Sequence, residues 1–162
     1  MESLPRPEGY SAITPWLISK NTPELIDFIS QAFGGVELAR VLNADGGIGH
    51  AEMRIVDAIV MLFDSPEGWP TTASFLRLYV PDALETHRTA IAAGATNVTD
   101  VTELAFGDLV GRVQDFAGNI WWIQTHVEDV DPDQMNKRWA DPRWVAAMQY
   151  VQTSLTERGA PV

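Results

Sequence analysis

The sequence contains no cysteine, which excludes disulfides and thiol catalysis. No apolar run approaches the roughly 20 residues needed to span a bilayer. The opening MESLPRPEGY lacks the apolar stretch of a secretory signal. A cytoplasmic location away from any membrane is expected. Basic residues are scarce, with 11 Lys and Arg against 22 Asp and Glu, for a net charge of −11. Phosphate backbones attract the opposite balance, so nucleic acid is not an expected partner. The serines occupy no G-x-S-x-G elbow. DGGIG at 45–49 lacks the Gly-Lys-Ser/Thr ending of a phosphate loop and reads instead as a connection between antiparallel strands.

The 162 residues are 46% hydrophobic, enough for one compact domain with a sizeable core. A shift of 60 positions brings two halves into register. NTPELIDFISQAFGG (21–35) then falls on PDALETHRTAIAAGA (81–95), Gly34 on Gly94, and MRIVDAIVMLF (53–63) on VQDFAGNIWWI (113–123). Each half reads strand, helix, strand, strand, strand. In the first, a strand over 12–19 precedes a helix over 23–33, capped by Asn21 or Thr22 and stopped by Gly34 and Gly35. Strands follow at 36–42, 48–56 and 58–64. In the second, a strand over 74–80 precedes a helix opened by Pro81 and Asp82, then strands at 96–101, 109–115 and 119–126. Two short helices close the chain, 130–139 and 142–155, and Trp144 is assigned to packing. The expectation is one α+β domain over 1–162. It holds two modules (12–64 and 74–126) whose mixed sheets face one another as a cup, and a helical tail over 130–157.

Side chains alternate across a strand. Ala51, Met53 and Ile55 form one set in the 50–55 strand, and His50, Glu52 and Arg54 the other. If odd residues lie under the helices, even residues line the open side, where Trp16, Leu62, Leu76 and Trp122 would give apolar walls. Glu52, Arg54, Gln114 and Gln124 would give directional contacts. Trp16 and Trp122 read equally well as ordinary core. His50 and Glu52 share a face and could do acid–base work, but two such groups without a third are a weak metal signal. His87 is expected on the surface and His126 beside local acidic groups.

The stretches ITPWLISKNTPELIDFISQAFGG, GHAEMRIVDAIVML, AAGAT and GRVQDFAGNIWWIQTHVEDVDPDQM, in that order, resemble the vicinal oxygen chelate superfamily. That superfamily includes glyoxalases, bleomycin-resistance proteins and extradiol dioxygenases, and the similarity is to its PhnB-like branch. The resemblance implies paired βαβββ modules and a homodimer. It also implies that metal-binding members place His and Glu near the positions of Trp16 and Leu62 in one module and Leu76 and Trp122 in the other. None of these four residues can replace an imidazole or carboxylate; Asp64 and Gln124 are the nearest polar candidates. No metal and no cofactor are therefore expected. The expected function is metal-independent binding or sequestration of a small apolar or aromatic compound, as in bleomycin-resistance-type proteins. The alternatives are a divergent enzyme of the superfamily, metal-dependent or using His50 and Glu52 without metal, and a structural or regulatory protein partner.

Overall fold

A computed structural model describes residues 6–70 and 72–156. The chain divides into two compact units, the second beginning at Phe75. Unit one holds β1 (Trp16–Ser19), α1 (Thr22–Phe33), β2 (Val36–Leu42), β3 (Ile48–Ile55) and β4 (Ala58–Asp64). Unit two holds β5 (Phe75–Tyr79), α2 (Ala83–Ala92), β6 (Thr96–Leu104), β7 (Asp108–Gln114) and β8 (Ile120–His126). The tail helices α3 (Pro132–Ala140) and α4 (Pro142–Thr153) also belong to unit two. Each unit is therefore a βαβββ module, and the second carries a helical extension. The first strand is shorter than expected, beginning at Trp16 rather than near residue 12, and β6 continues to Leu104.

The two sheets have the same plan. The first is ordered β1-β4-β3-β2 and the second β5-β8-β7-β6. In each, the first strand pairs in parallel with the last, and the remaining pairs are antiparallel. A strand that leaves the sheet through a helix returns parallel, whereas hairpin-linked strands return antiparallel.

Local chemistry explains where the helices begin and end. The Asn21 side chain accepts from the Glu24 amide at 3.4 Å and donates to the Glu24 carboxylate at 2.7 Å, closing the first turn of α1. At the other end Gly34 takes φ +64°, and the amides of Gly34 and Gly35 bond back to Ser30 and Ile29. Asp82 caps α2 by accepting from the Glu85 amide at 2.9 Å, and Gly94 follows that helix at φ +104°. Asp131 and Asp141 cap the tail helices, each followed by proline.

In unit one the core lies between α1 and one face of the sheet. Leu25, Ile26, Phe28, Ile29 and Ala32 of α1 are buried, with Leu17, Ala51, Met53, Ile55, Val60 and Leu62 opposite them. A side chain at Gly35 would collide with Ile29 and approach Met53, which places Met53 beneath the helix. In unit two, Leu76, Leu78, Val113, Trp121 and Ile123 lie on the α2 side. There the Gly111 backbone lies so close to His87 of α2 that an added Cβ would come within 3.0 Å of the ring. His87 is half-buried and bonds Asn97 at 3.2 Å, rather than standing on the surface.

The DFAGN stretch is held by one carboxylate. Asp115 accepts from the amides of Ala117 and Asn119 and from the side chains of Asn119 and Trp121, all between 2.9 and 3.0 Å. Burial pushes its pKa up, and those four donors oppose the shift by favouring the ionised form. The group fixes the β7–β8 turn and seats the Trp121 ring under α2.

Among the described residues no helix is long and apolar enough to cross a membrane.

Candidate functional site

Residues directly paired across neighbouring strands point to the same side of a sheet. Trp16 pairs with Met61, and Met61 with Glu52. This face, away from α1, also carries Ile18, His50, Arg54, Ile59 and Phe63. The chain before β1 crosses it: Gly9 approaches Ile59, and the Tyr10 hydroxyl bonds the Glu52 carboxylate.

The face has an aromatic part and a polar part. The Trp16 and Phe63 ring centroids are 5.1 Å apart at 76°, and those of Phe63 and Trp69 6.0 Å apart at 85°. Trp16 is 45% exposed and Trp69 56% exposed, while Phe63 is half-buried between them. His50 links the two parts. Its ring lies 5.7 Å from Trp16, and its Nε2 is 2.9 Å from the Glu52 carboxylate. Hydrogen bonds from Tyr10 and then His50 hold Glu52 below its usual pKa against the desolvation that raises it. The same bond to Glu52, with some burial, pushes the Tyr10 pKa up to about 12. At neutral pH the network therefore holds a carboxylate and a phenol. Arg54 lies on this face but is exposed, one row nearer the sheet end than Glu52.

Leu62 differs from expectation. It pairs with Leu17 and Ala51, is fully buried, and lies on the α1 side, opposite Trp16. Leu76 differs in the same way, pairing with Trp121 on the α2 side. Neither shares a wall with the residue expected beside it.

Trp122 lies on the face of the second sheet away from α2, in one row with Arg77, Arg112 and Thr99. That face is covered by α4. Val151 packs on Leu104 and Val110, and Trp122 packs with Ala147 and Met148 against the same cluster. The Arg112 guanidinium lies 4.0 Å from the Trp122 centroid, donates to the Val151 carbonyl at 2.7 Å, and reaches Thr99 at 3.3 Å. Exposed Arg77 lies 4.9 Å from the centroid. Burial lowers the Arg112 pKa. Gln124, on this face one row along, is buried and bonds Asp108, and Gln114 reaches the Gly118 carbonyl at 3.4 Å. Trp144 is buried beneath Arg138 and Arg143, as a packing residue. His126 bonds Asp108 at 2.6 Å and Asp129 at 3.0 Å.

No family model matches the chain. An uncharacterised protein of Mycobacterium tuberculosis is 33% identical over 135 residues, covering 76% of this chain and 79% of its own length. Among solved structures, TioX from Micromonospora sp. ML1 is 25% identical with a TM-score of 0.62, covering 72% of this chain and 99% of that one. A glyoxalase/bleomycin resistance protein/dioxygenase family enzyme from Burkholderia phytofirmans PsJN shares the fold at 14% identity and a TM-score of 0.57, covering 74% and 98%. The chain belongs to one family with the mycobacterial protein, and it shares the fold of glyoxalase, bleomycin-resistance and PhnB-like proteins.

The positions at which the sequence resemblance implies metal ligands do not fit a divalent ion in this chain. Leu62 and Leu76 face the helices, and the residues that stand beside Trp16 and Trp122 on the other faces, across the β1–β4 and β5–β8 pairs, are Met61 and Phe63 in unit one and Arg77 in unit two, none of which offers an oxygen or imidazole ligand. Asp64 accepts from the Thr22 amide at 2.9 Å and the Ile48 amide at 2.6 Å, tying α1 and β3 to β4. Burial raises its pKa, but these two bonds outweigh it and hold the carboxyl low. The Gln124 side-chain nitrogen donates to Asp108, and its buried carbonyl oxygen is a single neutral ligand atom, which cannot hold a divalent ion alone. Among the described residues no three His, Asp or Glu cluster as a metal site.

Tyr10, Phe63 and Trp69 were not singled out from sequence. Tyr10 and Trp69 lie in irregular segments, where alternation gives no signal. Phe63 follows Leu62 on β4, and its face depends on the register of the turn before it.

Proposed function

We propose that this protein binds a small apolar or aromatic compound without a metal ion, as a sequestration protein, on the face of the first sheet away from α1. The observation that carries the reading is the partly exposed Trp16–Phe63–Trp69 cluster beside the Tyr10–Glu52–His50 network. Aromatic walls supply area and stacking, and the polar group sets orientation. The test is titration of tryptophan fluorescence with aromatic compounds in the presence of a chelator. Saturable quenching is expected, and Trp16→Ala should weaken it by about tenfold, the equivalent of about 1.4 kcal/mol. A chelator that abolishes the response, or a Trp16→Ala affinity equal to wild type, would overturn the reading.

A second reading is metal-free acid–base catalysis, favoured by the 2.9 Å His50–Glu52 contact. It requires turnover that survives chelation and disappears in His50→Ala. We also propose a homodimer, because the edge strand β2 exposes Val36, Leu38, Val41 and Leu42. Sedimentation velocity at several concentrations tests it, and a single monomeric species throughout would exclude it.

A further inference from the structure

We propose that the compound bound on this face carries a quaternary or fully alkylated ammonium group, held in the angle between the Trp16, Phe63 and Trp69 rings. The proposal rests on the reading of that face as the ligand site and names what the ligand must contain.

Ring geometry is the first reason. Phe63 stands nearly perpendicular to both indoles, at 76° and 85°, so the cluster turns π surfaces in more than one direction instead of stacking them in parallel. The face of an aromatic ring attracts cations, and indole attracts them most.

The second reason is how the chain treats its other indoles. Trp122 has Arg112 at 4.0 Å and Arg77 at 4.9 Å, and Trp144 has Arg143 at 4.3 Å and Arg138 at 5.0 Å. Among the described residues no such cation lies over Trp16, Phe63 or Trp69, although both indoles there are about half exposed. In a protein with only 11 Lys and Arg, four arginines gather on two tryptophans, and among the described residues none lies over this cluster.

Charge and hydrogen-bond supply choose the type of cation. Glu52 is kept ionised beside the rings through His50, and the whole chain carries −11, so the local potential favours a positive group. Yet Glu52 already accepts from Tyr10 and His50, which takes about half of a carboxylate's acceptor sites. A primary ammonium brings three N–H donors and would find few acceptors among the rings. A fully alkylated nitrogen has no donor to satisfy and loses less on leaving water.

The test uses the full chain and two probes of one shape, benzyltrimethylammonium and neopentylbenzene, in which carbon replaces the charged nitrogen. Calorimetric or fluorescence titration should find the cation at least about tenfold tighter, with the advantage falling as salt is added. Trp69→Leu, on an exposed loop, should reduce that advantage, and Glu52→Gln should reduce it in protein whose circular dichroism is unchanged. Equal affinity for both probes would overturn the ammonium proposal and leave the apolar-binding reading standing. Binding of neither probe would overturn the proposal as well, with the binding reading then resting on the wider aromatic panel. Benzylammonium binding as tightly as benzyltrimethylammonium would overturn the preference for an alkylated nitrogen.

Discussion

Arg112 lies over Trp122, its guanidinium carbon 4.0 Å from the ring centroid, and donates to the Val151 carbonyl in the last turn of α4 at 2.7 Å. One buried guanidinium thus stacks on the sheet and caps the negative end of the helix that covers it. No carboxylate is needed, because the carbonyl and the helix dipole supply the opposing partial charge.

Arg112→Ala should lower unfolding stability by about 2–3 kcal/mol, combining a lost charge-assisted bond with a lost ring contact. Arg112→Lys should recover little of this, since an ammonium cannot stack on the ring while bonding the carbonyl. Urea denaturation followed by tryptophan fluorescence measures both. A lysine variant as stable as wild type would show that charge alone holds α4.

The turn between β3 and β4 contains a strained residue. Val56 has φ +55°, a β-branched side chain in a region where such residues are rare. It is the first of the two residues between Ile55 and Ala58, a position where short hairpins take glycine. Val56→Gly should raise stability by about 1 kcal/mol, because Val56 is exposed and relief of strain outweighs the added chain entropy. A lower denaturation midpoint in Val56→Gly would contradict this.

Stability should also depend on His126. Hydrogen bonds that its ring donates, first to Asp108 and then to Asp129, raise its pKa. The protonated form is thus favoured by folding. Its contribution is complete below the unfolded value of about 6.5 and is lost as pH rises through the higher folded value. Thermal melts at successive pH values should therefore decline over that window, and His126→Gln should flatten the decline. An equal slope in the variant would assign the pH dependence elsewhere.

The repeated module was legible because helix stripes, Asn21 and Asp82 caps and the Gly34 and Gly94 stops are local signals. So was the His50–Glu52 pair, since both lie on one strand two residues apart. The faces of other strands were less legible. Ala51 pairs with Leu62, an odd number with an even one, whereas Gly111 pairs with Ile123, both odd. The two-residue turn and the longer DFAGN turn shift the register differently, and a shift of one residue moves every side chain to the other face. A constant offset of 60 therefore placed Leu62 and Leu76 on the open side. Trp122 did fall on the face opposite α2, but its cover comes from α4, a tertiary contact with no sequence marker beyond the apolar residues of that helix.

The seating of α4 bears on how this protein can be shortened. A chain ended after β8 would lose Val151, Ala147 and Met148 together, and would present Trp122, Leu104 and the Arg112 guanidinium directly to water. An internal surface would become a greasy, cationic one on an otherwise acidic molecule. The trimmed protein should then associate with itself, so the last two helices have to travel with the second module whenever it is produced alone.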